Sequence, residues 1–252
     1  MPGRETIGII VPVHNSALYV ADTIRSLEAQ SVRDIEIIVV DDCSTDDTVS
    51  VIRELAGLDP RIRLIVNSED VSVSEVRRTG AIASPGEWIA LCDSDDKWEP
   101  DKLAKQIARQ KETGADIVYT GASFVYEDGT KPDWIQQVPE HIEYRELLKQ
   151  NIILNSSVMV RKDLYIDNCI APDNSHEDFC CWIKLLRNGA VCSGINEPLL
   201  IYTLKKSSKS GSKLRSFAMN WRTYRFIGLN VFMSLYYSVF YVIRGIRKYS
   251  HL

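Results

Sequence analysis

The chain has 252 residues, 45% of them hydrophobic and 25% charged, an ordinary globular composition that excludes a fibre or a disordered chain and suits one large α/β domain or two small ones. Its net charge of -4 conceals an asymmetry, because Glu197 is the last acidic residue: the part up to it carries -14 and the part after it +10. A basic tail on an acidic body calls for an anionic partner, phospholipid or nucleic acid.

The N-terminal stretch lacks the long apolar core of a signal peptide, since the run Ile7 to Val13 is short and enters the polar turn His14-Asn15-Ser16. That run reads as a first strand, and Ala17 to Gln30 follows with helical apolar spacing. Ile35 to Val40 repeats the strand signal, Asp41 to Asp47 forms a polar loop, and Thr48 to Leu55 resumes a helical pattern. Arg61 to Val66, Val73 to Ala83 and Glu87 to Cys92 then read as strand, helix and strand. Short β-branched runs alternating with helices predict βαβ units and a parallel sheet. Beyond residue 96 the pattern predicts helices over Asp101 to Thr113, Tyr144 to Asn151 and Glu177 to Asn188, the last closed by Gly189. It predicts strands over Asp116 to Tyr126, Ser156 to Arg161 and Leu199 to Leu204, with a turn at Asp128-Gly129. The Lys- and Ser-rich stretch from Lys205 to Lys213 reads as a loop.

The six cysteines include no C-x-x-C pair and no zinc-finger histidine spacing, which argues against structural zinc and for a reduced cytoplasmic protein. Asp93-Ser94-Asp95-Asp96, directly after the apolar run ending at Cys92, is the most informative segment. Three carboxylates in four positions repel one another unless a cation neutralises them, and hard oxygen donors suit Mg²⁺ or Mn²⁺. The alternative for the motif alone is a solvated acidic turn before the next helix.

Four segments in series, Ile9 to Asn15, Ile37 to Asp46, Asp93 to Asp96 and His176-Glu177-Asp178, resemble in order and spacing the motifs of family 2 glycosyltransferases with the GT-A fold. The resemblance covers residues 5 to about 204. It implies a Rossmann-like, mostly parallel central sheet flanked by helices, with residues 1–96 as the nucleotide-binding half and 97–204 as the acceptor-binding half, followed by an amphipathic helical tail. It also implies an inverting, metal-dependent transfer of a hexose from a nucleotide sugar, UDP-linked in this reading, to a lipid-diphosphate-linked sugar acceptor of bacterial surface polysaccharide. In that scheme Pro12, His14 and Asp42 line the uridine pocket, and Asp95 faces the ribose and diphosphate. Asp96 binds Mn²⁺ or Mg²⁺, and Asp93 organises the cluster. Asp178 is the base that takes the acceptor proton, and Glu177 positions it or holds an acceptor hydroxyl.

The chain departs from the family pattern in two places. Val76-Arg77-Arg78 stands where an Ala-Arg-Asn group is usual, leaving Arg77 either a diphosphate contact or a solvated helix charge. The loop expected to close over the donor reads Tyr202-Thr203-Leu204-Lys205-Lys206, with Lys205 or Lys206 in place of the usual arginine. Asp41 or Asp42 is expected to cap the helix near Thr48, and His176 either contacts acceptor or merely precedes a helix. Two other functions stay open on residues alone: a metal-dependent nucleotidyl or phosphoryl transferase, and a non-catalytic membrane-bound nucleotide-sugar binder.

Residues 205–252 form the predicted tail. Phe226 to Ile243 carries no charge but contains serines and tyrosines between basic flanks, which predicts a helix lying in the interface of an anionic membrane in preference to one spanning it. No nucleic-acid motif accompanies the positive charge, so the expected partner is the cytoplasmic face of a membrane.

Overall fold

A computed structural model describes residues 6–172, 174–205 and 213–249. The first half is a wound series: β1 (Ile7–Val13), α1 (Val20–Glu28), β2 (Ile35–Asp41), α2 (Thr48–Leu58), β3 (Ile62–Val66), α3 (Val73–Ala83) and β4 (Trp88–Leu91). These four strands pair in parallel in the order β3-β2-β1-β4. Strand β1 is buried along its whole length, because helices cover both faces of a parallel sheet and its strands become continuous apolar runs. Alternate residues serve opposite layers. Ile9, Val11, Ile37 and Val39 pack in one core with α1 and α2, whereas Ile10, Ile38, Val40 and Leu91 pack in the other with α3.

The second half contains β5 (Lys97–Trp98), α4 (Lys102–Thr113), β6 (Ile117–Tyr126), β7 (Ile135–Gln136), α5 (Tyr144–Leu147), a 3₁₀ turn at Asn155–Ser157, β8 (Met159–Arg161), α6 (Lys162–Asn168), α7 (Glu177–Arg187) and β9 (Cys192–Leu204). Strand β8 lies antiparallel between β4 and β6, and β5 and β7 are also antiparallel to their neighbours, while β6 and β9 run parallel. The sheet is thus parallel through its first four strands and mixed beyond them.

Several predicted boundaries move. The helix expected over Tyr144 to Asn151 stops at Leu147, because the chain turns inward and Asn151 is used by α7. The strand expected from Ser156 starts at Met159, after a 3₁₀ turn that buries three polar side chains. Strand β9 begins at Cys192, seven residues earlier than predicted; the register shifts around Gly121 let Asn196 and Glu197 pass without ending the pairing.

The tail forms α8 (Lys213–Phe226) and α9 (Val231–Tyr249) instead of one element across Phe226 to Ile243. Gly228, at φ 87°, takes the left-handed conformation that ends α8 and lets the chain reverse. Both helices pack on the domain: Tyr224, Ile227 and Tyr237 belong to the main core, and the Tyr224 hydroxyl donates to the Leu148 carbonyl at 2.7 Å. The loop residues 206–212, including Lys206, lie outside the described residues.

Candidate active site

The strand order 3-2-1-4 reverses direction between β1 and β4, and the crevice beyond their carboxyl ends is where open α/β sheets bind ligands. Three loops meet there. Asn15, after β1, adopts φ 49°, and its side-chain oxygen accepts the backbone N–H of Thr45 at 2.8 Å and of Asp46 at 3.3 Å. Ser16 donates its N–H to Thr48 and joins its hydroxyl to that of Ser94 at 2.8 Å, and Thr23 donates to the Ser94 carbonyl. The first and second strand ends are therefore stitched to the acidic loop through short polar side chains.

On the nucleotide side, Pro12 is buried in β1. The Nδ1–H of His14 donates to the Asp42 carbonyl at 2.6 Å, bringing these two predicted residues together. Asp42 Oδ1 accepts from Asn67 Nδ2 at 3.2 Å and from the Val71 N–H at 3.3 Å. Neither Asp41 nor Asp42 caps α2. Asp46 instead accepts the Thr48 N–H at 3.0 Å, and Asp41 accepts the Ser44 N–H within its own loop.

The acidic motif is divided by its surroundings. Asp93 Oδ1 accepts from Arg77 Nη2 at 2.8 Å and from Asn155 Nδ2 at 3.0 Å. Asp95 Oδ2 lies 2.7 Å from Lys205 Nζ, whose ammonium also sits 4.4 Å from the Tyr19 ring centroid. Asp96 is 1% exposed; its Oδ1 accepts the Thr203 N–H at 3.0 Å, and its Oδ2 is buried without a hydrogen-bond partner. Burial, reinforced by Asp95 and Asp93, holds the Asp96 carboxyl well above the usual carboxylate range.

Arg77 is not a solvated helix charge. It is 5% exposed, and its guanidinium reaches Asp93 on one side and Glu177 Oε1, at 3.1 Å, on the other. Burial alone would lower its pKa, but the carboxylates of Asp93 and Glu177 outweigh that and raise it. Gly80, one turn further along α3, makes this reach possible: a Cβ there would stand 2.6 Å from Ile10 Cγ2, so only glycine lets α3 lie this close to the sheet.

Helix α7 supplies the second acidic group at its first turn, where the macrodipole favours negative charge. Asp178 Oδ1 accepts the Phe179 N–H at 2.7 Å, and Oδ2 accepts from Asn151 Nδ2 at 3.0 Å. Burial first, and then the neighbouring Glu177, raise the Asp178 pKa to about 7. His176 faces the tail: its ring stacks on Tyr241 of α9 at 6.1 Å, its backbone N–H donates to Thr223 of α8, and burial lowers its pKa. The structure thus gathers Asp93, Asp95 and Asp96 at one loop, and Arg77 joins Asp93 of that loop to Glu177, the neighbour of Asp178. Asn151, Asn155 and Ser156, whose hydroxyl receives the Asp93 N–H, complete the site and carry no motif signal. The trace of Asn155 and Ser156 in the sequence is a polar run, Asn155-Ser156-Ser157, inside an apolar stretch.

The sequence model of glycosyl transferase family 2 matches residues 8–169. The chain belongs to this family. A candidate teichuronic acid biosynthesis glycosyltransferase of Bacillus subtilis (strain 168), TuaG, is 32% identical over 88% of each chain. The Escherichia coli UDP-Glc:alpha-D-GlcNAc-diphosphoundecaprenol beta-1,3-glucosyltransferase WfgD is 27% identical, covering 97% of this chain and 95% of its own. Among solved structures, S. aureus TarS 1-349 in complex with UDP-GlcNAc superposes with a TM-score of 0.72 at 19% identity, covering 96% of this chain and 73% of that one. The mannosyltransferase PcManGT from Pyrobaculum calidifontis, solved with GDP-Man and Mn²⁺, gives 0.68 at 15% identity, covering 98% and 76%. The fold is therefore GT-A, as the motif series implies. For a family 2 glycosyltransferase, the crevice at the β1/β4 switch point is the candidate active site.

Replacing Arg77 tests the link. Arg77→Met strands two partly buried carboxylates, and urea denaturation should register a loss of about 3–5 kcal/mol. Arg77→Lys supplies a point charge without the fork and should recover only part of it. Wild-type stability in the Met variant would show that the two carboxylates do not depend on the guanidinium.

Proposed function

We propose that this glycosyltransferase is an inverting, divalent-metal-dependent hexosyltransferase. It takes a hexose from a UDP-sugar and adds it to a lipid-diphosphate-linked sugar at the cytoplasmic face of a bacterial membrane during polysaccharide assembly. The observation that carries this reading is Asp178: a carboxylate with its pKa near 7 at the head of α7, next to Glu177, which Arg77 ties to the acidic loop at the end of β4. Relatives acting on diphosphoundecaprenol acceptors, and a structural neighbour holding UDP-GlcNAc, support the donor and acceptor classes.

Ionised Asp178, held by Asn151, takes the proton of the acceptor hydroxyl as that oxygen attacks the anomeric carbon from the face opposite the nucleotide. The bond to the leaving diphosphate breaks as the new glycosidic bond forms, so the anomeric configuration inverts. Glu177, fixed by Arg77, stands beside the base and keeps its pKa raised. Asp42 and His14 border the base-binding end of the crevice, where the Asp42 carboxylate suits the uracil imide N–H. Lys205 is the cation placed for the donor diphosphate.

The residues present fit a divalent ion. The buried Asp96 Oδ2 lacks a partner and Asp95 Oδ2 holds an ammonium, so two hard oxygens of one loop are disposed towards a cation. Among the described residues no group of three or more His, Cys, Asp or Glu is placed to hold a metal; Asp95 and Asp96 are the residues that would hold Mg²⁺ or Mn²⁺. When bound, such an ion neutralises charge on the leaving group.

For the membrane, the support is the polarity of α9. Among the described residues no helix is long and apolar enough to cross a bilayer. Helix α9 buries Ser234, Tyr237 and Ser238 against the domain and exposes Val231, Phe232, Leu235, Tyr236, Val239 and Ile243. These outer residues recur on one helical face, and the tail that carries them has no acid after Glu197. An apolar stripe in a basic surround fits the headgroup region of an anionic leaflet.

A panel of UDP-sugars with Mn²⁺ and a synthetic lipid-diphosphate sugar, with product linkage read by NMR, tests the whole scheme; absence of transfer from every donor overturns it. Asp178→Asn should lower kcat by about 10² to 10⁴ with donor KM near wild type. In the wild type, kcat/KM should fall about tenfold per unit as pH drops below about 7, because the base is then protonated. An unchanged rate for the Asn variant would move the base elsewhere.

EDTA should abolish transfer, and Asp96→Ala should do the same without unfolding the chain, as followed by circular dichroism; a full rate in chelator removes the metal from the scheme. Phe232→Asp with Leu235→Asp should cut co-sedimentation with anionic vesicles by at least about tenfold while leaving the thermal midpoint within a few degrees. Unaltered vesicle binding would place the membrane contact on another surface.

A further inference from the structure

A cavity of about 540 Å³ opens beside the sheet between β7 and the segment after α5, and α9 closes it through Arg244. Three observations make it more than a surface dent. First, Gln136 is 5% exposed, and its Nε2 donates to the Ile152 carbonyl at 2.8 Å, which fixes this side chain in the cavity wall.

Second, the residues lining the cavity are linked to those that hold both halves of the reaction centre. Gln150 and Ile152 line it, and Asn151 between them donates to Asp178. On the opposite wall Trp134 stacks on Phe124 at 4.8 Å, and Phe124 packs on Tyr202 at 5.7 Å, next to Thr203, whose N–H holds Asp96. Third, the lining suits a glycoside: an indole, three amide side chains at Gln136, Gln137 and Gln150, and one cation. Arg244 is lightly held, with its Nη2 3.9 Å from Glu146 Oε2 on side chains 39% and 53% exposed, so its fork can turn to an incoming phosphate.

We propose that this cavity is the acceptor subsite and that α9 is part of it. The acceptor sugar packs on Trp134, with the amides of Gln137 and Gln150 beside its hydroxyls. Its diphosphate meets Arg244, and its lipid chain leaves along the apolar face of the same helix. The inference rests on the lipid-diphosphate acceptor proposed above, and it assigns the recognition of that diphosphate to the C-terminal helix.

The probes are GlcNAc-diphosphate carrying a short lipid and the same lipid glycoside of GlcNAc without the diphosphate. Initial rates are measured against acceptor concentration with the full chain in both cases. Arg244→Gln should raise the KM for the diphosphate acceptor by about tenfold or more, with donor KM unchanged and kcat within about twofold, and should leave the glycoside unaffected. Trp134→Ala should raise the KM for both probes. Equal effects of Arg244→Gln on the two acceptors, an effect on donor KM, or no effect would overturn the proposal.

Direct binding of the diphosphate probe, followed by tryptophan fluorescence and lost in Trp134→Phe, separates this inference from the reading beneath it. If the wild type transfers nothing yet binds the probe with the Arg244 dependence described, the subsite stands and the hexosyltransferase scheme falls. If the wild type transfers sugar and Arg244→Gln binds the probe as tightly as wild type, the scheme stands and the subsite falls. Retained binding and folding of Arg244→Lys, with intermediate KM, would support a phosphate contact at this position.

Discussion

One buried guanidinium holds the centre of this molecule together. Arg77 rises from α3 in the nucleotide half and binds Asp93 at the end of β4 and Glu177 at the start of α7, residues separated by most of a hundred positions in the chain. Removing two carboxylates from water is unfavourable unless each meets a donor, and a planar cation with several donors can serve both at once. The arrangement fixes the distance between the loop that would meet the leaving diphosphate and the helix that would receive the acceptor. Precise placement of reacting groups is worth orders of magnitude in rate, so a buried ion pair that contributes little to net stability can still be decisive for chemistry. The close approach of α3 at Gly80 and the amides of Asn151 and Asn155 support the same geometry.

The first four strands and three helices were legible because their signals are local. β-branched runs buried on both faces have no other stable use, and the helices between them show their apolar faces at the right period. Beyond Asp96 the signals weaken. Strands β5 and β7 are two residues long and exist only as partners of β9 and β6. Helix α6 follows β8 without a loop, so no punctuation announces it. The tail misled in one respect: eighteen residues without a charge read as one element, but hydropathy is blind to the left-handed turn at Gly228.

The same division applies to the site. Asp93, Asp95, Asp96, Glu177 and Asp178 were legible as motif residues, yet their division of labour was not. That Asp96 would be buried under the Thr203 N–H, and Asp95 faced by Lys205, depends on where β9 ends, which no local pattern specifies. Arg77 was the least legible, since an arginine on a helix is far more often solvated, and its partners come from distant elements. Helix α9 also inverts the usual rule: Ser234, Tyr237 and Ser238 turn inward, with Tyr237 against the ring of Tyr224, while the aliphatic side chains face out.

The pairing of Lys205 with Asp95 has a kinetic side. Three carboxylates in four residues would surround the crevice with a strong negative potential if all were bare, and a nucleotide sugar, itself an anion, would be repelled on approach. Here Arg77 answers Asp93, Lys205 answers Asp95, and burial keeps the proton on Asp96 to higher pH than an ordinary carboxyl. Two of the three motif carboxylates therefore face a cation, so an anionic donor meets less repulsion than the bare motif would present. This arrangement differs from enzymes that draw anions in through an open ring of positive charge.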